Sequence, residues 1–249
     1  MESQPPANPK AHIGFTSVVD PADDPHVNGE YFRKNPTWHV EYSPWKAGNI
    51  HRLLVKRDLK PKSICEVGCG AGEVLRQLQL KMPSNCTFSG YDVAPHAIEI
   101  AKRNGENEHL QFAVADFGEL DTPFYDLLLI LEVVDHVEDY YGFLRMLKKK
   151  ADWKLFSFSL DISVQSAFRS GAFTQRRNVH SHMHHFNKET VLGTLEFAGY
   201  EIVDYFYPSN LAISSLAKLA KPIRTAFFKL NPDFAVRMFG GYSMMVLAR

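Results

Sequence analysis

The sequence predicts an α/β fold built on a doubly wound parallel sheet. Strand-like and helix-like stretches alternate over residues 63–207, which is the pattern of consecutive strand–helix–strand units. A glycine-rich turn between Gly68 and Gly72 joins the first of these strands to a helix. The nearly unbroken apolar run Tyr125–Leu131 has the composition of a strand buried on both faces of a parallel sheet. Together these observations favour one α/β domain.

Composition and charge exclude several classes of protein. The 249 residues are 45% hydrophobic, and 28 Lys and Arg balance 28 Asp and Glu, so no basic surface predicts binding to nucleic acid. The three cysteines predict a reducing compartment, and we expect the cytoplasm. The polar, proline-rich start does not resemble a signal peptide, and no apolar run is long enough to cross a membrane. The oligomeric state stays open.

The first 44 residues are predicted to form an arm and a lid that precede the main domain at 45–249. Residues 1–28 contain many prolines and little periodicity, so we expect an extended or partly disordered arm. Residues 31–45 concentrate aromatic side chains around His39. Such a segment either packs on the edge of the domain or covers a ligand, since pockets are lined by aromatic groups as cores are. Under the second hypothesis Trp38 and His39 would contact a substrate.

The remaining elements follow in order. Apolar spacing and end signals predict helices at 45–59 (ended by Pro61), after Gly72, at 95–103, 140–150 and 188–199, and strands at 63–67, 85–93, 110–117, 125–131, 154–162, 201–207 and 240–248. Asn187 is the expected cap of the helix at 188–199. Two segments are expected to add to the substrate side. Residues 163–185 are predicted as an irregular polar stretch, and residues 211–239 as a helical insertion that either packs as a lid or touches a membrane.

The glycine-rich turn carries the strongest chemical signal. Its glycines are spaced G-x-G-x-G, whereas the dinucleotide fingerprint is G-x-G-x-x-G, and Glu66 lies just before it. A carboxylate there would repel a pyrophosphate but could pair with a cation. Asp92 follows 20 positions after Gly72, where an acid can accept hydrogen bonds from a ribose. These residues favour a ligand with an ammonium or sulfonium group, a carboxylate and a ribose, and a nucleotide fold of another kind is the alternative.

The segment Glu66-Val-Gly-Cys-Gly-Ala-Gly72 resembles motif I of the class I S-adenosylmethionine (SAM) dependent methyltransferases. The resemblance extends over residues 45–249. It implies a Rossmann-like sheet of seven strands that is mostly parallel, with the last strand antiparallel. It also implies SAM as the cofactor and methyl transfer as the reaction.

The resemblance further implies roles for individual residues. Gly68, Gly70 and Gly72 would line the methionine part of SAM, and Glu66 would order the loop or meet the amino group. The remaining expected cofactor contacts are Val93, Asp92 at the ribose, Asp116 and Phe117 at the adenine, and Glu132 and Val133 near the sulfonium. An exposed loop acid is the alternative for Glu132.

Histidines supply the candidate acceptor-side groups. The segment Glu132-Val-Val-Asp-His-Val resembles the family's V-I-E-H-V segment, so His136 is either structural or catalytic. If residues 179–186 are extended, His180, His182 and His184 share one face. Three interpretations of this stretch compete, namely metal binding, substrate binding with one histidine as general base, and a structural role. We favour substrate binding by His182 and His184 and expect no metal, since no carboxylate or cysteine lies near them in the sequence.

These observations predict a SAM-dependent methyltransferase that acts on a small molecule. Oxygen is the expected acceptor atom, with nitrogen as the second choice. A protein or RNA methyltransferase is the main alternative, although the neutral charge and Leu131-Glu-Val-Val in place of an asparagine-proline-proline-aromatic motif argue against it. A non-catalytic SAM-binding protein is the alternative from another class.

Overall fold

The computed structural model describes residues 25–208 and 221–249. The strands of the described residues are β1 (Ser63–Val67), β2 (Thr87–Asp92), β3 (Leu110–Val114), β4 (Tyr125–Leu131), β5 (Ala151–Leu160), β6 (Ile202–Phe206) and β7 (Tyr242–Ala248). They form one sheet in the order β3-β2-β1-β4-β5-β7-β6. The predicted seven strands are confirmed.

The directions of the strands indicate which edge of the sheet binds ligands. The pairs that join β3, β2, β1, β4 and β5 are parallel, whereas β7 runs antiparallel to both of its neighbours, β5 and β6. The mostly parallel sheet with an antiparallel last strand is therefore confirmed. The strand order reverses between β1 and β4, and open α/β sheets bind ligands at the carboxyl ends of the strands beside such a switch point.

Helices cover both faces of the sheet. They are α1 (Glu30–Lys34), α2 (Ser43–Lys56), α3 (Glu73–Gln79), α4 (Pro95–Gly105), α5 (Tyr140–Lys148), α6 (Val164–Ala167), α7 (Ala172–His180), α8 (Lys188–Phe197), α9 (Lys221–Leu230) and α10 (Pro232–Met238). Short 3₁₀ turns occupy Val40–Tyr42 and Val134–His136. No helix among the described residues combines the length and the apolar character that a membrane crossing requires.

The core has a layer on each face of the sheet. Neighbouring residues of β1 point to opposite layers, with Cys65 and Val67 in one cluster and Ile64 in the other. Six of the seven residues of β4 are buried, as the apolar run predicts for a strand in the middle of a parallel sheet. Burial on both faces fixes β1 and β4 firmly, and these two strands carry the loops of the site.

The predicted end of α2 and the predicted irregular stretch at 163–185 differ from the structure. Helix α2 ends at Lys56 and not near Pro61, because Asp58 takes a left-handed conformation with φ 50° and closes the helix first. The stretch 163–185 is not irregular. It contains α6, which begins with a capping box between Ser163 and Ser166, and α7, which begins after Gly171 at φ 72°. Because the stretch is polar, it lacks the apolar periodicity from which helices are predicted.

The insertion before β7 forms two helices in its described part. Asn231 ends α9 and accepts a hydrogen bond from the amide of Phe234, so it caps α10, and Pro232 stands in the first turn. Phe228 of α9 stacks on Tyr242 of β7, with ring centroids 5.4 Å apart. The described helices therefore pack on the domain. Residues 211–220 of the predicted insertion lie outside the described residues.

Candidate functional site

A cavity of about 740 Å³ opens at the carboxyl ends of the central strands. The glycine loop after β1 forms one wall, and the ends of β2 and β4 form the floor. The segment 25–46 and the stretch 176–183 cover the opposite side. The volume lies within the range of about 300–1,000 Å³ that small-molecule sites occupy.

Hydrogen bonds hold the glycine loop against the end of β2. The amides of Gly68 and Cys69 both donate to the carbonyl oxygen of Tyr91, at 2.8 and 3.1 Å. The amide of Gly70 donates to Oδ2 of Asp92 at 2.7 Å, and the amide of Ala94 donates to Oδ1 at 2.9 Å. Asp92 therefore lies beside the loop, at the strand end where the sequence placed it, and it lines the cavity.

The three glycines have different reasons to lack a side chain. A Cβ on Gly68 would lie 2.6 Å from Cγ2 of Val133, and a Cβ on Gly70 would contact the indole of Trp38 at 3.6 Å. Both glycines line the cavity. Gly72, which was expected to line the methionine part of SAM, does not line the cavity. A Cβ on Gly72 would lie 2.5 Å from the ring of Phe112, so the absence of a side chain lets this ring pack against the loop. Gly72 thus serves the packing of the loop on the sheet.

Glu66 is a buried carboxyl with an unsatisfied oxygen. It is 2% exposed, it lines the cavity, and its Oε2 accepts no hydrogen bond from the described residues. Burial raises the pKa of Glu66 to about 8. The negative charge of Asp92 also raises this pKa, whereas the positive charge of Lys46 lowers it. A cationic group of a ligand would supply the missing partner.

Glu132 differs from the exposed loop acid that was its alternative. It lies at the end of β4 with φ 61°, a conformation that costs a non-glycine residue energy and is concentrated at functional sites. Nζ of Lys46 donates to Oε2 of Glu132 at 2.7 Å, and the Lys46 ammonium lowers the pKa of this carboxyl. Val133 follows and fills the space beside Gly68. The ion pair ties α2 to the loop after β4.

Asp116 and Phe117, the expected adenine contacts, line the cavity, and so does Val93. Oδ1 of Asp116 accepts a hydrogen bond from the amide of Gly118 at 2.8 Å, which orders the loop after β3. The ring of Phe117 packs in the core beside Tyr91, with centroids 5.5 Å apart, and Phe117 is only 2% exposed. The cavity thus meets little of the Phe117 side chain.

Aromatic residues from the N-terminal segment cover the glycine loop. Tyr31, Trp38, Tyr42 and Trp45 line the cavity, and Tyr31 packs on Trp38 with centroids 5.1 Å apart. Nε1 of Trp38 is buried without a hydrogen-bond acceptor among the described residues. His39 stands at the rim, where 42% of its side chain is exposed. These positions fit a cover better than packing against the edge of the domain.

His182 lies between two aspartates at the polar end of the cavity. Its Nδ1 donates to Oδ2 of Asp161 at 2.8 Å, and its Nε2 lies 3.2 Å from Oδ2 of Asp135. Burial opposes the charged ring, but the hydrogen bond to Asp161 and the charge of Asp135 outweigh it, so the pKa of His182 is raised. Both ring nitrogens face carboxylates, which leaves neither as a free base.

His136 lines the same cavity as His182. Its Nδ1 lies 3.1 Å from the carbonyl oxygen of Ser181, and since a carbonyl oxygen accepts only, Nδ1 carries the hydrogen. The lone pair is then on Nε2. Burial lowers the pKa of His136, which favours the neutral ring. His136 and His182 meet edge to face, with centroids 5.2 Å apart.

His184 lies apart from His136 and His182. His180 ends α7, and Ser181 turns the chain with φ 60°, so the three alternate histidines do not share one extended face. Nε2 of His184 meets the carbonyl oxygen of Val137 at 3.0 Å, and its ring packs against Tyr140. His184 lies outside the lining of the cavity, so a role as acceptor-side base or substrate contact has no geometric support.

Several residues of the site carried no local signal. Lys46 lies on a predicted helix, Asp161 follows β5, and Asp135 was noted only as part of the loop around His136. Asp161 and Asp135 reach His182 from positions 21 and 47 residues away along the chain. Neither aspartate is close to the stretch 180–185 in the sequence, so spacing along the chain does not indicate either contact. Asp135 follows β4 and Asp161 follows β5, and these two strands are parallel neighbours in the sheet, so the fold brings both aspartates to His182.

Comparison with known proteins agrees with this geometry. The chain matches the family model described as a methyltransferase domain over residues 39–205. It is 31% identical over 94 residues to norajmaline N-methyltransferase of Rauvolfia serpentina, a match that covers 34% of this chain and 31% of that protein. It is 29% identical over 141 residues to ubiquinone biosynthesis O-methyltransferase of Glaesserella parasuis, covering 51% of this chain and 58% of that protein. The match thus spans about a third to somewhat more than half of the length of these relatives.

A solved structure shows the same architecture. The N-methyltransferase NodS from Bradyrhizobium japonicum WM9, in complex with S-adenosyl-L-homocysteine, superposes with a TM-score of 0.59 at 18% identity and covers 91% of this chain and 98% of that chain. At this identity the likeness is one of fold. The family match, the sheet order and the glycine loop agree with one another. The chain belongs to the class I SAM-dependent methyltransferases, a family whose cofactor is S-adenosylmethionine.

Proposed function

We propose that this protein transfers a methyl group from SAM to a hydroxyl oxygen of a small molecule. The observation that carries the proposal is the single cavity that joins the glycine loop to a chamber of aromatic and histidine side chains. A covered chamber of this size suits a small acceptor better than a protein or an RNA. The three cysteines are all free and buried, which supports a reducing compartment such as the cytoplasm.

The residues present fit the cofactor. SAM supplies a methyl group that its sulfonium already activates for displacement. The unsatisfied Oε2 of Glu66 suits its ammonium group, and the missing Cβ atoms of Gly68 and Gly70 leave room for its methionine part. Asp92 lies at the end of β2 beside the glycine loop and lines the cavity, where its carboxylate could accept hydrogen bonds from ribose hydroxyls. Asp116 and Val93 would border the adenine.

The acceptor side is the chamber that Trp38, His39, His136 and His182 border. A hydroxyl acceptor must lose a proton during transfer, and Nε2 of His136 offers the lone pair at this end. His182 would orient the acceptor. The aromatic cover would exclude water and hold the acceptor in line.

Oxygen is the proposed acceptor atom and amine nitrogen the second candidate. The O-methyltransferase relative shares more of its length with this chain than norajmaline N-methyltransferase does, which supports oxygen. The existence of N-methyltransferases among the relatives supports the second candidate.

An assay with methyl-labelled SAM tests the proposal. The full chain would be incubated with separate panels of small phenols, aliphatic alcohols, amines, peptides and RNA, and the label would be followed into product. We expect transfer to a hydroxyl compound and none in the Gly68→Ala variant, whose loop clashes with Val133. Transfer to peptide or RNA alone would contradict the small-molecule proposal. Cofactor binding without turnover on any panel would favour a non-catalytic SAM-binding protein.

A further inference from the structure

Asp135 is a buried carboxylate that no donor among the described residues meets with a hydrogen bond. It is 1% exposed, and neither Oδ1 nor Oδ2 accepts a hydrogen bond from the described residues, although Oδ2 lies 3.2 Å from Nε2 of His182. A buried carboxylate needs a cationic partner and well-formed hydrogen bonds to offset its lost hydration. The turn that carries it is fixed, because its carbonyl oxygen accepts hydrogen bonds from the amides of Met183 and His184.

Two imidazoles converge on this carboxylate with their outer nitrogens already engaged. Nδ1 of His136 donates to the carbonyl oxygen of Ser181, and Nδ1 of His182 donates to Asp161. This leaves Nε2 on each ring, and on His182 an ion would replace the hydrogen that Nε2 carries toward Asp135. One ligand atom from each of Asp135, His136 and His182 lies within 4.8 Å of the other two. Histidines that bind metal ions usually donate their other N–H to a carbonyl or carboxylate in the same way.

We propose that Asp135, His136 and His182 bind one divalent transition-metal ion at the polar end of the cavity. Two imidazoles and a carboxylate suit ions such as Zn²⁺, Co²⁺ and Fe²⁺. Three protein ligands leave at least one coordination position for another group. His136 and His182 line the cavity, so that position faces the acceptor chamber.

Asp161 supports this site from outside and is not itself a ligand. Its Oδ2 accepts hydrogen bonds from Nδ1 of His182 and Nδ1 of His185, and its Oδ1 lies 2.8 Å from the guanidinium of Arg176. An alternative group of Asp161, His182 and His185 also has suitable spacing. There, however, the ring nitrogens that face the carboxylate carry hydrogens, so they cannot also bind an ion.

With the ion bound, the Nε2 lone pair of His136 is engaged with the metal, so the ion, in place of His136, would lower the pKa of an acceptor hydroxyl. This role rests on the proposed function, whereas the metal site itself does not. Metal binding can be measured without SAM and without an acceptor. Failure of the metal proposal and failure of the methyl-transfer proposal are therefore distinguishable.

The test uses the full chain after treatment with EDTA. Calorimetric titration with Zn²⁺ alone and with Co²⁺ alone should show one saturable site, and elemental analysis should find one ion per chain after desalting. Asp135→Asn and His182→Ala should each lower metal affinity by at least about a hundredfold, and Asp161→Asn by roughly 10- to 100-fold. His109→Ala is the matched control, since it removes an exposed imidazole elsewhere and should leave affinity unchanged.

Circular dichroism separates loss of binding from loss of folding. If His182→Ala does not fold, Asp135→Asn decides the matter, because it keeps the shape of the side chain. Equal affinity in Asp135→Asn and the parent protein would overturn the proposal. So would the absence of saturable binding of either ion, which would leave Asp135 and His182 as an ion pair only.

Discussion

The backbone nitrogen of Gly70 lies 2.7 Å from Oδ2 of Asp92 and donates a hydrogen bond to it. The glycine loop and the acid that follows it 20 positions after Gly72 are thus fixed to each other without a ligand. A carboxylate that holds the loop in this way has a fixed orientation before a ribose binds beside it. The site is preorganised, so little ordering is needed on binding.

Removing the Asp92 carboxylate should weaken cofactor binding. Asp92→Ala loses charge-assisted hydrogen bonds worth on the order of 1.5–3 kcal/mol each, so affinity for S-adenosylhomocysteine should fall at least about tenfold. Asp92→Asn keeps one oxygen for the Gly70 amide, so its affinity for S-adenosylhomocysteine should lie between that of the parent protein and that of Asp92→Ala. Calorimetry on all three proteins measures this. A folded Asp92→Ala with the affinity of the parent would remove Asp92 from the cofactor site.

A side chain on Gly68 should destabilise the loop. Gly68 has φ 72°, which costs a non-glycine residue roughly 1–2 kcal/mol, and its Cβ would overlap Val133. Gly68→Ala should therefore lower the free energy of unfolding by at least that amount in urea titrations. Gly48→Ala is the control, because Gly48 lies in α2 with no atom within 4 Å of the added Cβ, and it should stabilise the protein by about 0.5–1 kcal/mol. Equal effects of the two changes would contradict this account.

Glu66 should make stability depend on pH. The folded-state pKa of about 8 is above the ordinary value of 4.5, so the folded chain retains a proton that the unfolded chain releases. This contribution is largest below pH 4.5 and is lost as pH rises through about 8. Glu66→Gln should flatten the fall in melting temperature between pH 4.5 and about 8, while exposed Glu108→Gln should not. Identical slopes in Glu66→Gln and the parent protein would refute the raised pKa.

The aromatic cover should report ligand binding by fluorescence. Trp38 and Trp45 line the cavity, whereas Trp153 lies on β5 and packs against the core. Addition of S-adenosylhomocysteine should change tryptophan emission, and Trp38→Phe should remove most of the change. Trp153→Phe should keep it. A signal that survives in Trp38→Phe and disappears in Trp153→Phe would place the ligand elsewhere.

The sequence predicts the sheet well because local chemistry and burial agree there. The run Tyr125–Leu131 matches β4 at both ends. Asn187 caps α8, since its side chain accepts a hydrogen bond from the amide of Thr190 and the Thr190 hydroxyl accepts one from the amide of Asn187. The glycine loop combines a strand, a sharp turn and a helix start within a few residues, so its position needs no distant contacts. These signals are short-range, and they place Glu66, Gly68, Gly70 and Asp92 together.

The acceptor side could not be predicted in the same way. The environment of His182 depends on Asp135 and Asp161, which the adjacent strands β4 and β5 deliver from distant positions. His184 shares the sequence pattern of His182 but turns to Val137, because Ser181 breaks the extended alternation. Spacing along the chain gives no information about such contacts.

Binding of the cofactor pair is the most direct test of the account. The full chain would be titrated calorimetrically with SAM, with S-adenosylhomocysteine and with NAD. We predict one saturable site per chain for SAM and for S-adenosylhomocysteine, and no heat of binding from NAD. Binding of NAD without any response to SAM or S-adenosylhomocysteine would contradict the central claim.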